Sequence, residues 1–347
     1  MSRGRFNRWI VRQWRRPTPG GQAVLLPVSG VFRVVVALRR MAYRLRLRRS
    51  VQLTVPVIVV GNITVGGSGK TPMVMHLVEQ LQAQGWRPGV VSRGYRSASG
   101  PARRLGPNPD PVENGDEPAM VALRCGCPVA VGVERPAAAR LLLSDCDVIV
   151  ADDGLQHYAL GRDLEIAVVD GDSGLGNGRM LPAGPLREPV GRLRSVDFVA
   201  LRDGDGALDG IVHARFAIRV SAGETRPLAA TEVPRPLASW RGTPVHAVAG
   251  IGVPERFFGQ LEDLGLTVER HAFADHHAYR PADLAFGDSA PILMTEKDAI
   301  KCRAFADERA WFVSAEVIDE DGLAQAVIQR LAARNTTAEK DNGPAAA

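Results

Sequence analysis

The sequence predicts an α/β protein whose mostly parallel sheet carries helices on both faces. Two observations support this prediction. Short apolar runs alternate with helical patterns along the first 200 residues, and the first of these runs leads directly into a glycine-rich loop and a helix. The chain has 347 residues and is 45% hydrophobic, so it is long enough for two domains with a sizeable core.

The predicted elements follow one another in two α/β units. The first unit has strands at Val55–Val60, Pro88–Ser92, Pro128–Val133, Val148–Asp152, Leu164–Val169 and Phe198–Leu201, and helices at Pro72–Gln84, Glu117–Cys125 and Pro136–Ser144. Apolar residues then alternate from Ile211 to Val220, which predicts a β segment, and a second such piece is predicted near Arg226–Val233. The second unit has strands at Val245–Ala249, Thr267–His271 and Ile292–Thr295, and helices at Pro254–Leu264 and Gly322–Arg334.

This pattern divides the chain into five segments. We predict a basic N-terminal arm (1–22), a larger α/β domain that begins with an interfacial helix (23–210), a short β linker (211–234), a smaller C-terminal α/β domain (235–334) and a disordered tail (335–347).

The glycine-rich loop is typical of nucleotide-binding proteins. Gly66-Gly67-Ser68-Gly69-Lys70-Thr71-Pro72 follows the strand Val55–Val60, and a helix follows the loop. Glycines let backbone N–H groups surround phosphate oxygens, the lysine places a cation on the β/γ-phosphates, and the threonine hydroxyl can bind Mg²⁺. Thr64 stands where the common P-loop pattern has a glycine. The agreement of strand, Lys-Thr and helix favours phosphate binding over a purely structural turn.

A second apolar strand, Val148–Asp152, ends in the acidic pair Asp152-Asp153. P-loop proteins hold Mg²⁺ with such a strand, although many strands end in aspartate at a simple turn. Paired with the glycine loop, the two carboxylates predict a magnesium site.

Three further segments allow two interpretations each. Asp116 is either a helix N-cap or a carboxylate that takes a proton from a hydroxyl group. His276, in Ala274-Asp275-His276-His277, is either structural or functional. Arg187, in a proline-rich loop that ends at Glu188, either neutralises phosphate or lies in a solvated turn.

The N-terminal end of the chain is basic. The first acidic residue is Glu79, and arginines alternate with apolar residues between Arg33 and Arg49. This pattern predicts a basic amphipathic helix over Val31–Arg49 that lies in a membrane interface, the alternative being an ordinary surface helix. Uninterrupted apolar stretches are too short to span a bilayer, and we expect no signal peptide.

The chain has four cysteines, Cys125, Cys127, Cys146 and Cys302. Their spacing predicts neither a zinc site nor a disulfide framework, and they are typical of core residues in a reduced, cytoplasmic protein.

Together the motifs resemble those of the tetraacyldisaccharide 4′-kinase family, the lipid A 4′-kinases of Gram-negative bacteria. The matching segments are Gly61–Pro72, Ser92-Arg93-Gly94-Tyr95, Gly115–Pro118, Asp152–His157, Pro182–Glu188, Phe273–His276 and Met294–Ala299, in family order over about residues 23–330. Leu155 departs from the pattern, where we expect an aromatic residue, and this affects packing only.

The resemblance implies a P-loop NTPase-like fold and a kinase that transfers the γ-phosphate of ATP to the 4′-hydroxyl of an acylated glucosamine disaccharide 1-phosphate. It implies Mg²⁺ as a cofactor, and peripheral or monotopic contact with an anionic membrane at the cytoplasmic face of the inner membrane. We further expect a monomer that binds no nucleic acid.

The resemblance also implies residue roles. Asp116 is the base, His276 pairs with it, and Lys70 contributes to catalysis. The nucleotide-binding residues are Thr64, Gly66, Gly67, Ser68, Gly69, Lys70, Thr71 and Arg187. The magnesium shell comprises Thr71, Glu117, Asp152, Asp153, Gln156 and Glu188.

The alternative function is a P-loop ATPase of another class that binds nucleic acid or a protein partner. The partitioning type of ATPase has a lysine before the paired glycines, where this chain has Val65. A nucleic-acid-binding ATPase would need stacking aromatic residues among the arginines, for which Trp9, Trp14 and Tyr43 are the candidates.

Overall fold

The computed structural model describes residues 3–94, 100–204, 208, 210–212, 215–229 and 233–341. Four predicted features lie partly outside these ranges. They are Tyr95 of the Ser92–Tyr95 motif, parts of the β pieces at Ile211–Val220 and Arg226–Val233, and the last six residues of the tail.

Within the described ranges, twelve strands form one sheet. They are β1 (Val57–Gly61), β2 (Pro88–Ser92), β3 (Arg103–Arg104), β4 (Val129–Val131), β5 (Val148–Asp152), β6 (Leu164–Asp170), β7 (Phe198–Arg202), β8 (Phe216–Pro227), β9 (Pro244–Ala249), β10 (Thr267–Ala272), β11 (Ile292–Thr295) and β12 (Ala310–Asp319).

The helices in the same part of the chain lie on both faces of this sheet. They are α1 (Arg3–Arg15), α2 (Pro19–Arg44), α3 (Lys70–Ala83), α4 (Pro111–Asn114), α5 (Asp116–Cys125), α6 (Arg135–Arg140), α7 (Pro254–Asp263), α8 (Glu296–Cys302) and α9 (Leu323–Asp341).

The predicted mostly parallel sheet is confirmed. The strand order is β10-β9-β11-β12-β8-β7-β6-β1-β5-β2-β4-β3, and among these neighbours only β3·β4 and β8·β12 are antiparallel. β1 lies between β5 and β6, and every residue of β1, β5 and β6 is buried. Burial on both faces explains why these strands are continuous apolar runs in the sequence.

The larger unit has a separate hydrophobic core on each face of the sheet. Leu77 of α3, Val121 of α5 and Leu331 of α9 belong to the core on one face. Ala138 of α6 belongs to the core on the opposite face, together with Leu155. Leu155 is fully buried there, as expected for a residue whose departure from the family pattern affects packing.

A long antiparallel pair joins the two units into one sheet. β8, within the predicted linker, is a 12-residue strand that pairs in parallel with β7 on one side and antiparallel with β12 on the other. The C-terminal unit has two further cores, one that includes Phe258 of α7 and one that includes Met294 of β11, whereas α9 packs in the core of the larger unit. The domain boundaries themselves stay predictions.

Several helix boundaries differ from the expected ones. α6 ends at Arg140 rather than continuing to Ser144, and one boundary each of α5 and α7 differs by one residue. α3 begins at Lys70 rather than Pro72, because Gly69 adopts the left-handed conformation (φ 83°) and ends the loop there. α9 continues to Asp341 rather than ending at Arg334, and its added residues include the good helix formers Ala338, Glu339 and Lys340.

α2 does not match the predicted interfacial helix Val31–Arg49, because it begins at Pro19 and ends at Arg44, with Leu45 as its C-cap. In the described ranges it is the one helix whose length and composition suffice to cross a membrane, with 26 residues. The expectation that the apolar stretches were too short was wrong, because it counted uninterrupted runs and not the mean hydropathy of a whole helix. One side of α2 packs on the protein, where the Ser29 hydroxyl donates to the Met180 carbonyl at 2.8 Å. The rest of α2 is exposed and carries large apolar side chains, which include Val24, Val28, Val31, Val34, Val35, Leu38 and Met41.

Candidate active site

The glycine loop is held open between β1 and α3 by its own side chains and by a neighbouring loop. The buried Asn62 amide donates to the Ser68 hydroxyl at 3.0 Å, across the loop. Gly66 has a φ of 125°, in the region where glycine is favoured. At Gly69, a Cβ atom would lie 2.7 Å from Arg202 Cδ, so a larger residue would clash. The loop therefore presents backbone N–H groups at the N-terminus of α3, where an anion is stabilised.

The segment Pro182–Glu188 runs alongside the glycine loop. Val65 N–H donates to the Pro185 carbonyl at 2.8 Å, and Arg187 N–H donates to the Ile63 carbonyl at 2.7 Å. These backbone bonds place the Arg187 guanidinium 3.0 Å from a carboxylate oxygen of Asp153. Lys70 Nζ lies 3.7 Å from the other oxygen of Asp153. Asp153 thus lies between two cations that the sequence analysis assigned to phosphate binding.

Asp152 ends β5 beside the loop and is 2% exposed. Burial raises the pKa of Asp152 to about 7, and the charges of Glu117 and Asp153 add to the rise. Burial also favours the neutral form of Asp153, but the charges of Lys70 and Arg187 outweigh it and leave the pKa of Asp153 below its usual value. The two adjacent carboxyls therefore differ in their protonation near neutral pH.

The carboxylates fit a magnesium ion. The Oδ1 atom of Asp152 is buried and has no hydrogen-bond partner in the described structure. A buried carboxylate oxygen without a partner is costly, and a hard divalent cation would satisfy it. Thr71, the first-turn residue of α3 after Lys70, is buried at the same end of the sheet. The donor set is oxygen-rich, as Mg²⁺ requires.

Gln156 and Glu188 lie in a buried network next to the loop. The Gln156 amide donates to the Asn62 carbonyl at 3.0 Å and to Glu188 Oε2 at 3.1 Å. The Tyr158 hydroxyl donates to the other Glu188 oxygen, and Arg192 Nε lies 3.6 Å from Glu188 Oε2. Both oxygens of Glu188 thus have protein partners, so in this structure the carboxylate orients Gln156. Its role in the magnesium shell stays a prediction.

The raised pKa of Asp152 predicts that the free energy of unfolding depends on pH. A carboxyl whose pKa is raised on folding binds a proton that the unfolded chain has lost, so its contribution to stability decreases as pH rises from its ordinary pKa to about 7. Without Mg²⁺ or nucleotide, the wild type should lose about 2 kcal/mol relative to Asp152→Asn between about pH 5.5 and about pH 8. Denaturant titrations of both proteins measure this difference. Parallel pH profiles for the two would contradict the assignment.

Asp116 and His276 are brought together across the two units. Asp116 Oδ2 lies 2.9 Å from His276 Nδ1, although the residues are 160 positions apart. Asp116 is the first residue of α5, and Gly115 (φ 91°) occupies the N-cap position. The N-cap interpretation of Asp116 is therefore wrong, and its side chain points to the histidine. His276 has a φ of 60°, a backbone conformation that is uncommon outside glycine and often found at functional sites.

Two lysines from α8 face this pair, and the sequence analysis did not single them out. Lys301 Nζ lies 3.9 Å from Asp116 Oδ2 and 2.7 Å from Asp298 Oδ1. Lys297 Nζ lies 3.4 Å from His276 Nε2 and 3.9 Å from a Glu117 oxygen. The matched segment Met294–Ala299 contains Lys297, which was the available signal, whereas Lys301 lies two residues beyond the end of the segment.

Arg135 is a further residue that sequence reasoning missed. It is 1% exposed at the start of α6, and its guanidinium donates to the Asp152 carbonyl at 3.0 Å. Burial lowers the pKa of Arg135 to about 10, and the charges of Asp152 and Asp153 oppose this shift. The Arg135 guanidinium therefore places a positive charge next to the backbone of Asp152. No local pattern distinguishes it from the many other arginines of the chain.

Comparison with known proteins assigns the family. The profile of the family described as "Tetraacyldisaccharide-1-P 4'-kinase" matches residues 21–332. Proteins named tetraacyldisaccharide 4'-kinase are 50% identical in Methylobacillus flagellatus, over 94% of this chain and 96% of the relative, and in Alkalilimnicola ehrlichii, over 92% and 96%.

A solved structure agrees with these relatives. The crystal structure of LpxK from Aquifex aeolicus in complex with ATP has a TM-score of 0.76 and 29% identity to this chain, and the match covers 89% of this chain and 99% of that one. The predicted fold class and the resemblance drawn from the motifs are confirmed. The chain belongs to the tetraacyldisaccharide-1-P 4'-kinase family.

Proposed function

We propose that this protein is a kinase that transfers the γ-phosphate of ATP to the 4′-hydroxyl of tetraacyldisaccharide 1-phosphate, a step of lipid A biosynthesis. The observation that carries the proposal is the contact between Asp116 and His276, at 2.9 Å, together with the effect of the adjacent Glu117 on the acidic pair that Lys70 contacts. Glu117 follows Asp116 directly, and its charge acts on Asp152, which adjoins the carboxylate that Lys70 contacts. The pair and the loop thus border one cleft.

The residues of this cleft have complementary roles. The loop N–H groups and the N-terminus of α3 bind the phosphates of ATP, and Lys70 and Arg187 neutralise the charge that develops on the transferred group. Asp116 accepts the proton of the 4′-hydroxyl as that oxygen attacks, and His276 orients the Asp116 carboxylate. Lys297 and Lys301 keep the surroundings of the pair positively charged.

We propose Mg²⁺ as the cofactor, bound by Thr71, Asp152 and Asp153, with Glu117, Gln156 and Glu188 around it. When bound, the ion neutralises the phosphate oxygens and fixes their orientation. The unpartnered Asp152 oxygen and the oxygen-only donor set support this assignment.

The direct test is transfer of radiolabelled γ-phosphate from ATP to tetraacyldisaccharide 1-phosphate in detergent micelles. Label in the lipid, dependent on Mg²⁺ and on the wild-type chain, supports the proposal. Hydrolysis of ATP that the lipid does not stimulate would contradict it and would favour a P-loop ATPase of another class. Two of the three aromatic candidates for nucleic-acid stacking are already engaged, since Trp14 donates to the Pro182 carbonyl and Tyr43 packs on Tyr158.

We propose that the protein acts as a monomer at the cytoplasmic face of the inner membrane, with α2 as the contact. The exposed apolar residues of α2 reach the bilayer interface, while its packed side contacts the loop that carries Arg187, through Ser29 and Met180. Arg33, Arg39, Arg40 and Arg44 are placed to bind anionic headgroups. A lipid substrate whose acyl chains stay in the bilayer can then present its sugar to the cleft.

Neutralising the arginines of this surface is expected to weaken membrane binding. Each arginine near the surface contributes about 1 kcal/mol, and salt screens this part. Glutamine at Arg39, Arg40 and Arg44 of α2, and at Arg46 just after the helix, should therefore reduce co-sedimentation with anionic liposomes and raise the apparent KM for the lipid. Replacing four exposed arginines of the C-terminal unit, Arg226, Arg241, Arg270 and Arg303, provides the matched control. Unchanged sedimentation of the α2 variant would identify α2 as ordinary protein surface.

A further inference from the structure

Three potential metal ligands meet at the edge of the sheet, in the C-terminal unit. His246 lies on β9, and Glu269 and His271 lie on the edge strand β10. In the parallel β9·β10 register His246 is opposite Glu269, and His271 follows two residues later. Cross-strand partners and residues two apart point to the same face of a sheet, so the three side chains lie close together on one face.

The distances between the ligand atoms fit a small, N/O-binding cation. His246 Nδ1 lies 3.0 Å from His271 Nε2, 3.6 Å from Glu269 Oε2, and His271 Nε2 lies 3.7 Å from Glu269 Oε1. In a tetrahedral zinc site with bond lengths of about 2.05 Å, ligand atoms are about 3.3 Å apart. The two glutamate distances are to different oxygens, so the three values do not describe one triangle. One ligand atom from each residue lies within 4.8 Å of those of the other two, and rotation of the exposed Glu269 side chain would bring the set to this spacing.

The surroundings orient the two imidazole rings. Asp288 Oδ1 lies 3.0 Å from His246 Nε2 and accepts a hydrogen bond from the Nε2–H tautomer, which leaves a lone pair on Nδ1 toward His271. A metal-binding histidine usually donates its other ring N–H to a carboxylate in this way. Phe286 stacks on both rings, with centroid distances of 4.2 Å to His246 and 4.0 Å to His271. This packing restricts the rings before any ion binds.

We propose that His246, Glu269 and His271 form a binding site for a first-row divalent transition metal, best matched by Zn²⁺, with Asp288 supporting His246. Two imidazoles and one carboxylate suit zinc better than Mg²⁺, which prefers oxygen ligands. The Glu269 side chain is 68% exposed, so solvent supplies the remaining coordination position. The ion joins β10 to β9, and β10 is followed four residues later by His276, so binding stabilises the strand that leads to the active-site histidine.

Zinc titration of the chelator-treated full-length protein tests the site, in buffer with excess Mg²⁺ to occupy the oxygen-rich cleft. Calorimetry should give one Zn²⁺ per chain, and Zn²⁺ should raise the melting temperature. Co²⁺ used as a probe should give the intense visible absorption of a tetrahedral complex. His271→Ala should weaken binding by about 100-fold or more, and Asp288→Asn by about 10-fold.

Glu255→Gln serves as the matched control for Glu269→Gln, because both side chains are 68% exposed and Glu255 contacts the neighbouring Arg270. We expect Glu269→Gln to weaken Zn²⁺ binding and Glu255→Gln to leave it unchanged. Circular dichroism verifies that the variants are folded, and the buried His246 is left intact for that reason. Absence of stoichiometric Zn²⁺ binding to the wild type, or binding that His271→Ala and Glu269→Gln leave unchanged, would overturn the proposal. Neither result would bear on phosphate transfer.

Discussion

Replacing Asp116 with asparagine is expected to lower kcat by about 10²–10⁴-fold while ATP binding persists. The substitution keeps the shape of the side chain but removes the carboxylate that accepts the 4′-hydroxyl proton. Because Gly115 and not Asp116 occupies the N-cap of α5, the melting temperature should change little. Steady-state kinetics with the lipid acceptor and thermal unfolding of the same protein measure both effects. Glu113→Gln, at an exposed carboxylate of the neighbouring α4, is the control and should retain activity.

His276→Ala extends this experiment to the pair. If His276 acts by orienting Asp116, at 2.9 Å, the double variant should be little slower than the slower single variant. Losses that simply multiply would count against a functional pair. A variant of Asp116 that is less stable but has a normal kcat would show that Asp116 has only a structural role.

Lys70→Ala is expected to reduce turnover by about 10²-fold or more, equivalent to roughly 3 kcal/mol of transition-state stabilisation. Lys70 is the first residue of α3 and contacts Asp153 at 3.7 Å, so without nucleotide its charge is held beside the acidic pair. The fold should survive because the side chain faces the cleft and not the core. Turnover and nucleotide binding should be compared with Arg87→Ala, which removes a cation from an exposed ion pair with Asp147. Near-normal phosphate transfer by the folded Lys70→Ala variant would show that Lys70 does not contribute to catalysis.

The local parts of this site were predictable from sequence because each is encoded by one short segment. The apolar run predicts the buried strand β1, and the glycines predict the turn before Lys70. An apolar run that ends in two aspartates predicts the end of β5. Parallel pairing of β1 with β5 then brings Asp152 next to Val60, at the same edge of the sheet as the loop. Residues that follow adjacent parallel strands must meet there.

The long-range parts were not predictable from residue patterns alone. The approach of His276 to Asp116 depends on the β8·β12 pair, which attaches the C-terminal unit to the sheet, and no local signal reports that pairing. The family resemblance, and not a residue pattern, predicted that His276 pairs with Asp116. Lys301 and Arg135 were missed for the same reason, since each acquires its role only through the fold. The length of α2 was underestimated because a helix tolerates Arg33 and Pro27 within an otherwise apolar window.

We propose above all that this cleft transfers phosphate to the 4′-hydroxyl of the disaccharide. The most direct measurement compares ADP release and lipid phosphorylation for tetraacyldisaccharide 1-phosphate and for its 4′-deoxy analogue, with wild-type protein in micelles. The account predicts equal amounts of ADP and 1,4′-bisphosphorylated lipid with the first substrate, and no lipid phosphorylation with the second. Phosphate incorporated into the 4′-deoxy analogue, or ADP released without lipid product from the natural acceptor, would contradict it.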